Sequence, residues 1–485
     1  MFKLKTYKNQ KINTNLFVQL LFYLLPVTFI LGNLIVSVHS VIFILLSLFI
    51  IKQRNLNLRF NKSYWFIIIF FLYFFLLSVF QFNFPGNIFD FQLERFDKGA
   101  VISTAKDHNE FIKLWFEGNG NPAIKSFLLV RFLLLIFVID TLIYNKILDL
   151  KKFFLSCFIC TTFVSLDILL QYITEFDIFG FESKWQHNSG PFGDEYIAGT
   201  YLRNFSFFSI FYLYQNIKRE KNLSFIVITV IHLVAILVAG NRMPTILFLF
   251  GCVLIVLFIK NIRLLMSLSI IIFISIFFLL AQKDDYVKNP YFSFFKNVNI
   301  LKIIENKKNE KILEEKIVND SASDYTVPGE ISLLRNTGHN KVFRTAIEIW
   351  KTQPITGFGF KSFRLKCAEI LEKDNLVRGE KPQLFACGNH PHNFYLELLS
   401  EAGIFGFVLM LTFFLVLLKK SILHLLKYKN LSKENYFLLI AVVITFFIDI
   451  WPIKSTGSFF TTWNATAFWL NVGILYSFIN YKKIN

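Results

Sequence analysis

Charge is what this sequence has least of. Asp, Glu, Lys and Arg make up 17% of its 485 residues, against roughly a quarter in a soluble domain. That shortage excludes an ordinary water-soluble globular protein. Metal signatures are missing too: there is no H-E-x-x-H, no D-x-D at the end of an apolar run and no carboxylate cluster. A catalytic metal therefore has no evident ligand set. No internal repeat is evident, whereas a transporter built from inverted repeats should show one. Nor is there a recognisable cleavable leader. The first apolar run begins near Leu16 and is expected to remain as membrane anchors. Cysteine is sparse, five in all. Cys157 and Cys160 form a C-x-x-C, but within an apolar run, where they read as small buried hydrophobes, as does Cys252.

Apolar residues are there instead. The chain is 54% hydrophobic and 18% aromatic, with 62 Phe. Runs of about 20 apolar residues recur from end to end, which defines an all-α, polytopic membrane protein. The net charge of +18 raises nucleic acid as a partner, but the charges cluster in short loops between apolar runs. That is the positive-inside pattern, so membrane lipids are the expected surroundings and nucleic acid is not.

Twelve spans satisfy the charge pattern at every short loop. Two short ones fill 16–51, turning near Gly32-Asn33; others cover 63–82, 123–144, 153–172, 196–215, 224–240, 244–260 and 264–282. Three more cover 402–418, 436–453 and 463–480. Lys3, Lys5, Lys8 and Lys11 at one end and Lys482 and Lys483 at the other put both termini in the cytoplasm. The domains expected are a membrane domain of about nine spans (1–282), a large, partly helical outer loop (283–401) and a membrane domain of about three spans (402–485). A second outer loop spans 83–121. Within the long loop, 296–320 is rich in Lys, Glu, Ile and Asn and fits a solvated amphipathic helix or a mobile insertion. Cys367 and Cys387 lie in the same loop, 20 residues apart. In an oxidising compartment they are natural disulfide partners, stapling the segment that leads to His390.

That segment continues His390-Pro391-His392-Asn393 into Leu396, Leu399 and Gly403. Asn393 is suited to cap a helix, which Gly403 can end. His392 would then lie beside the positive end of the helix dipole, favouring a neutral imidazole that can take a proton. Arg242, in Gly240-Asn241-Arg242-Met243-Pro244, is a cation at the outer end of an apolar run. There it is costly unless it snorkels or pairs. Arg344 opens an expected loop helix through Trp350, followed by a turn at Pro354–Gly359. Two guanidiniums and a neutral imidazole on one face suit a multivalent anion and a proton transfer, since the guanidinium fork binds phosphate oxygens bidentately.

These residues carry a resemblance. His392-Asn393-x-x-Leu396-x-x-Leu399-x-Glu401-x-Gly403-x-x-Gly406 resembles the H-N-x-x-L-x-x-L-x-E-x-G-x-x-G of the O-antigen ligase and O-antigen polymerase superfamily. Arg344 with Trp350, Pro354 and Gly357-Phe358-Gly359 resembles its R…W…P…G-x-G segment. Gly240-Asn241-Arg242 resembles its S-R-G or S-R-T turn, with Asn for Ser. Gly190-Pro191-Phe192-Gly193-Asp194 resembles its G-x-F-x-(D/N)-P-N loop, with Glu195-Tyr196 for Pro-Asn. The ligase-like core covers about 185–420.

The resemblance implies a GT-C-like glycosyltransferase of the bacterial inner membrane, acting in lipopolysaccharide biosynthesis with its site facing the periplasm. Its donor would be a glycan on undecaprenyl diphosphate, its acceptor lipid A–core for a ligase or a second lipid-linked glycan for a polymerase. Transfer would be inverting and metal-independent, with no cofactor. Catalytic roles fall on His392, Arg242 and Arg344, and substrate binding on Arg242, Arg344, His390 and Asn393. Glu397 and Glu401 would either orient the histidine or close the helix turn. Two other classes stay open: a flippase or other transporter, expected to bury charges such as Arg131, Asp140, Asp167 and Arg203 in its spans, and a passive assembly scaffold.

Overall fold

Every apolar run marked in the sequence is helical in the computed structural model of the protein. The structure describes residues 14–82, 122–291, 339–378, 385–427 and 433–479, apart from 59, 185–186, 217–221, 286 and 290. The expectations for the terminal lysines, for the loop at 83–121 and for the charged stretch at 296–320 concern residues outside this set.

Helices α1 (Thr14–Ile30) and α2 (Asn33–Gln53) turn at Gly32, whose φ of 101° suits glycine. They are followed by α3 (Tyr64–Phe82), then by α4 (Pro122–Phe127) and α5 (Val130–Tyr144), which share one apolar run broken at residues 128–129. Next come α6 (Leu150–Thr174), α7 (Ala198–Asn216), α8 (Asn222–Val238), α9 (Arg242–Phe258) and α10 (Arg263–Lys283). Two helices, α11 (Asn340–Thr352) and α12 (Phe363–Arg378), belong to the polar segment. The last three are α13 (Phe394–Lys427), α14 (Lys433–Asp449) and α15 (Thr462–Ile479). Among the described residues, six helical stretches are long and apolar enough to cross a membrane. Shorter apolar helices stand at Thr14–Ile30, Asn222–Val238, Arg242–Phe258 and Asn435–Asp449.

Helix α15 packs along α5, α7 against α6 and α14, and α13 against α3 and α11. The centre is aromatic. The Phe459 ring stands edge-on to Phe394, Phe414, Phe468 and Trp469, with centroids 4.9 to 6.3 Å away. Such edge-to-face pairs add to the area they bury. Phe394 thereby fixes the start of α13 into the core.

The charged side chains inside the helices are tied down. Asp140 accepts from the Tyr64 hydroxyl at 3.0 Å. Arg131 donates to Ser37 and Thr462 at 3.1 and 2.9 Å. Arg203 pairs with Asp449 at 2.9 Å, both buried. Each of these bonds joins separate elements, as buried polar groups require.

Candidate functional site

Asn393 caps α13 as its sequence context predicts. Its Oδ1 accepts from the amides of Tyr395 and Leu396 at 2.9 and 3.2 Å. Its Nδ2 donates to the carbonyls of Pro452 and Lys454, both at 3.0 Å. One side chain thus caps the helix and holds the link between α14 and α15 against it. His392, just before the cap, takes a left-handed conformation with φ of 54°, uncommon for a residue with a Cβ. Its carbonyl accepts from the Thr456 amide at 2.8 Å.

Gly403 ends the first helical stretch of α13, as expected: its φ of 62° and ψ of −172° are not helical, and a second stretch runs on from there to Lys427. Another segment takes up the backbone groups freed at the break. The Ile404 amide donates to Pro354 O at 2.8 Å, Phe405 N to Ile355 O at 3.2 Å, and Gly359 N to Glu401 O at 2.8 Å. The Tyr73 hydroxyl of α3 reaches Thr356 O and Ala402 O at 2.6 and 3.1 Å. Backbone meets backbone so closely that a Cβ on Gly357 would lie 2.4 Å from Gly403 N. The G-x-G turn and the E-x-G of the next motif are two halves of one splice.

The two glutamates brace this arrangement. Glu401 accepts from the amides of Lys361 and Phe363 at 2.8 and 3.4 Å, at the start of α12. Glu397 accepts from Phe459 N at 2.7 Å and from the Ser458 hydroxyl. None of these bonds goes to a histidine, so closing the turns, rather than orienting an imidazole, is the role their geometry gives them.

Three histidine rings, tilted to one another, cluster at the mouth of α13. His390 and His392 have ring centroids 4.2 Å apart, and His339 lies 4.7 Å from His392. Burial, then the neighbouring His392 and Arg364, pushes His390 down to about 3. Burial, then His339, pushes His392 down to about 4. His339 is lowered by burial and by the charge of Arg242. Burial and the neighbouring His339 thus favour the neutral imidazole of His392, the form that can take a proton. The Nε2 of His390 is buried with no hydrogen-bond partner among the described residues.

Arg242 is the first residue of α9. It follows a turn at Gly240, whose φ is 80°. Its charge reaches both His339 and Tyr291, so the fold gathers it with the histidines. Arg344 does not open α11; it lies in the second turn, five residues after His339. The Gly190-Pro191-Phe192 turn is laced to the end of α8. Asn188 donates to Val238 O at 2.6 Å, and His187 meets Ala239 O at 3.3 Å while stacking on Tyr196.

Cys367 of α12 is bonded to Cys387, with Cα atoms 5.4 Å apart. Beside it, the Thr345 hydroxyl donates to Ala386 O at 2.9 Å. The strand of chain leading to His390 is thus clipped to both α11 and α12.

Sequence reasoning missed four residues here. His339 stood alone in a polar stretch, and only folding brings it to the cluster. Lys454 is buried with its ammonium 4.2 Å from the Phe394 ring centroid, and burial and Arg203 push it down to about 7. Lys361 is also pushed down to about 7, by burial and then by Arg364 and Lys125. Lys361 and Arg364 directly follow the G-F-G-F motif, a position that could have flagged them. Among the described residues, no three His, Cys, Asp or Glu side chains are placed to hold a metal ion together.

What the fold defines is a class: a multi-pass helical membrane protein with its chemistry-bearing residues gathered where helices begin. Residues 227–411 match the family model described as O-antigen ligase. The matched stretch holds Arg242, His339, Arg344, the Cys367–Cys387 bond, His390 and His392, and over that stretch the chain is similar to the O-antigen ligase family. No curated protein matches the chain.

Proposed function

We propose that the protein is an O-antigen ligase: an inner-membrane glycosyltransferase that moves a glycan from undecaprenyl diphosphate to lipid A–core. The observation that carries this reading is His392, whose lowered value favours the neutral imidazole and whose ring lies against His339, itself within the field of Arg242, in a segment that matches the O-antigen ligase model. His392 takes the proton of the acceptor hydroxyl. That oxygen attacks the anomeric carbon from the face opposite the diphosphate, the bond from that carbon to the phosphate oxygen breaks, and the configuration inverts. The electron pair leaves with the diphosphate, and Arg242 and Arg344 take up its charge. Preorganised cations do this without help from a resident metal. His390 and Asn393 complete the binding surface, Asn393 by holding the link beside the cluster in place.

Twelve spans, with both termini in the cytoplasm and the 283–401 loop in the periplasm, put this site where a lipid-linked donor is presented. Deleting the gene and running lipopolysaccharide on a gel tests the reading. The expected result is core without O-chain while lipid-linked polymer accumulates. A single repeat on core would make the protein an O-antigen polymerase instead. Unchanged lipopolysaccharide would sink both.

A further inference from the structure

Helix α6 carries a stripe of exposed apolar side chains: Leu155, Ile159, Phe163, Leu166, Leu170 and Ile173. The spacing of four, four, three, four and three keeps them on one helical face. On a helix apolar enough to cross a membrane, that face meets lipid. The stripe does not stop where the helix stops. Ile173, 78% exposed, leads directly into a small hairpin over residues 175–184 whose tip shows Ile178 and Phe179, 61% and 63% exposed.

The hairpin is built, not loose. Asp177 N donates to Phe181 O at 3.0 Å and Ser183 N to Glu175 O at 2.8 Å. The Asp177 carboxylate accepts from the amides of Phe179 and Phe181 at 2.9 and 2.6 Å. Asp167, buried in α6, reaches out to accept from Ile178 N at 2.8 Å, and Gln171 donates to Phe181 O at 3.0 Å. A fold that spends two buried polar side chains on holding an apolar tip outward has a use for that tip. Water is a poor occupant for it, while the headgroup boundary of a bilayer favours aromatic and apolar side chains.

We infer that the 175–184 hairpin is an interfacial membrane anchor, with Ile178 and Phe179 seated among the lipids that the stripe on α6 already meets. The anchor is linked to the candidate site. Gln171 also accepts from Gly190 N at 2.8 Å, and the Phe181 ring lies against Gly193. The loop at 187–196 in turn holds the end of α8 ahead of Arg242. The hairpin thus sets the depth of the Arg242 turn relative to the bilayer surface. That consequence for a lipid diphosphate rests on the enzymatic reading above; the anchoring does not.

Depth can be measured directly. The native cysteines are buried or bonded to each other, so a nitroxide can be attached selectively to Phe179→Cys in protein reconstituted into lipid nanodiscs. Ile159→Cys supplies the reference within the span. The expected signature at position 179 is frequent collision with oxygen and rare collision with a water-soluble nickel chelate. Frequent nickel collisions would place the tip in water and overturn the proposal. Rare collisions with both would mean that protein covers the tip, whether another part of this chain or a second copy, and would overturn it equally. In the Ile178→Asp/Phe179→Asp background, a label at Glu182→Cys should gain nickel collisions as the hairpin lifts out. No change there would also count against the anchor. The readout does not depend on transfer, so it stands apart from the enzymatic test.

Discussion

At the scale of single residues, the histidine cluster separates two roles. His392 neighbours both of the other rings, and we assign it the proton transfer. A general base contributes on the order of 10²–10⁴-fold in rate, so His392→Ala should nearly abolish transfer in a purified assay with lipid-linked donor and core acceptor. His390→Ala should retain most of the turnover and show its effect in KM, as expected of a binding side chain. The reverse pattern would move the base two residues upstream. The sign of the pH dependence follows from the lowered value of His392, about 4. The base is the unprotonated form, so activity is present above that value and lost as pH falls through it. The acid limb should therefore lie well below the usual histidine range, and a midpoint near 6.5 would contradict the buried cluster. Arg242→Ala and Arg344→Ala should each lower transfer by orders of magnitude, while the protein still inserts. Lysine at either place should rescue only in part, because a point charge does not reproduce the fork. Full activity in Arg344→Ala would remove that residue from the mechanism.

At the scale of elements, the splice between the 354–359 turn and the break in α13 is the feature that fixes the site. Gly403→Ala must force a Cβ to within 2.3 Å of Ile355 O. The positive φ alone costs about 1–3 kcal/mol for a residue with a side chain. The expected outcome is a lower unfolding temperature in detergent, and an unchanged one would mean that the splice is not rigid. The Cys367–Cys387 bond is the second clamp. Mass spectrometry of peptides from non-reduced protein should show the linked pair, and two alkylated thiols would refute it. Its loss should cost about 2–4 kcal/mol of local stability.

At the scale of the whole molecule, the helices were legible because lipid makes one demand of every spanning segment, a long apolar run with its backbone bonds closed internally. The cap at Asn393 was legible for a similar reason: it is settled within three residues. What could not be read was whatever depends on distant parts of the chain. Nothing local says that the amides freed by the break at Gly403 find their partners at 354 and 355. Nothing local reveals His339 as the third ring, or that burial adds to what holds the His392 value down. The arginine motif was readable, but nothing local says that the charge of Arg242 reaches His339, nearly a hundred residues on. One of these long-range joints bears on how the protein is made. Tyr73 and Ser78 sit in α3, made well before the segments they bond to. The partners of Tyr73 are the carbonyls of Thr356 and Ala402, and Ser78 accepts from the Phe360 amide at 2.9 Å. During synthesis those two hydroxyls wait through more than half of the chain for acceptors and donors that do not yet exist. Helix α3 can be inserted early, but it reaches its final seat only after the long polar segment has been made and α13 has followed it. A nascent chain halted before residue 402 therefore carries an unfinished face on α3, and a membrane quality-control protease should recognise it there.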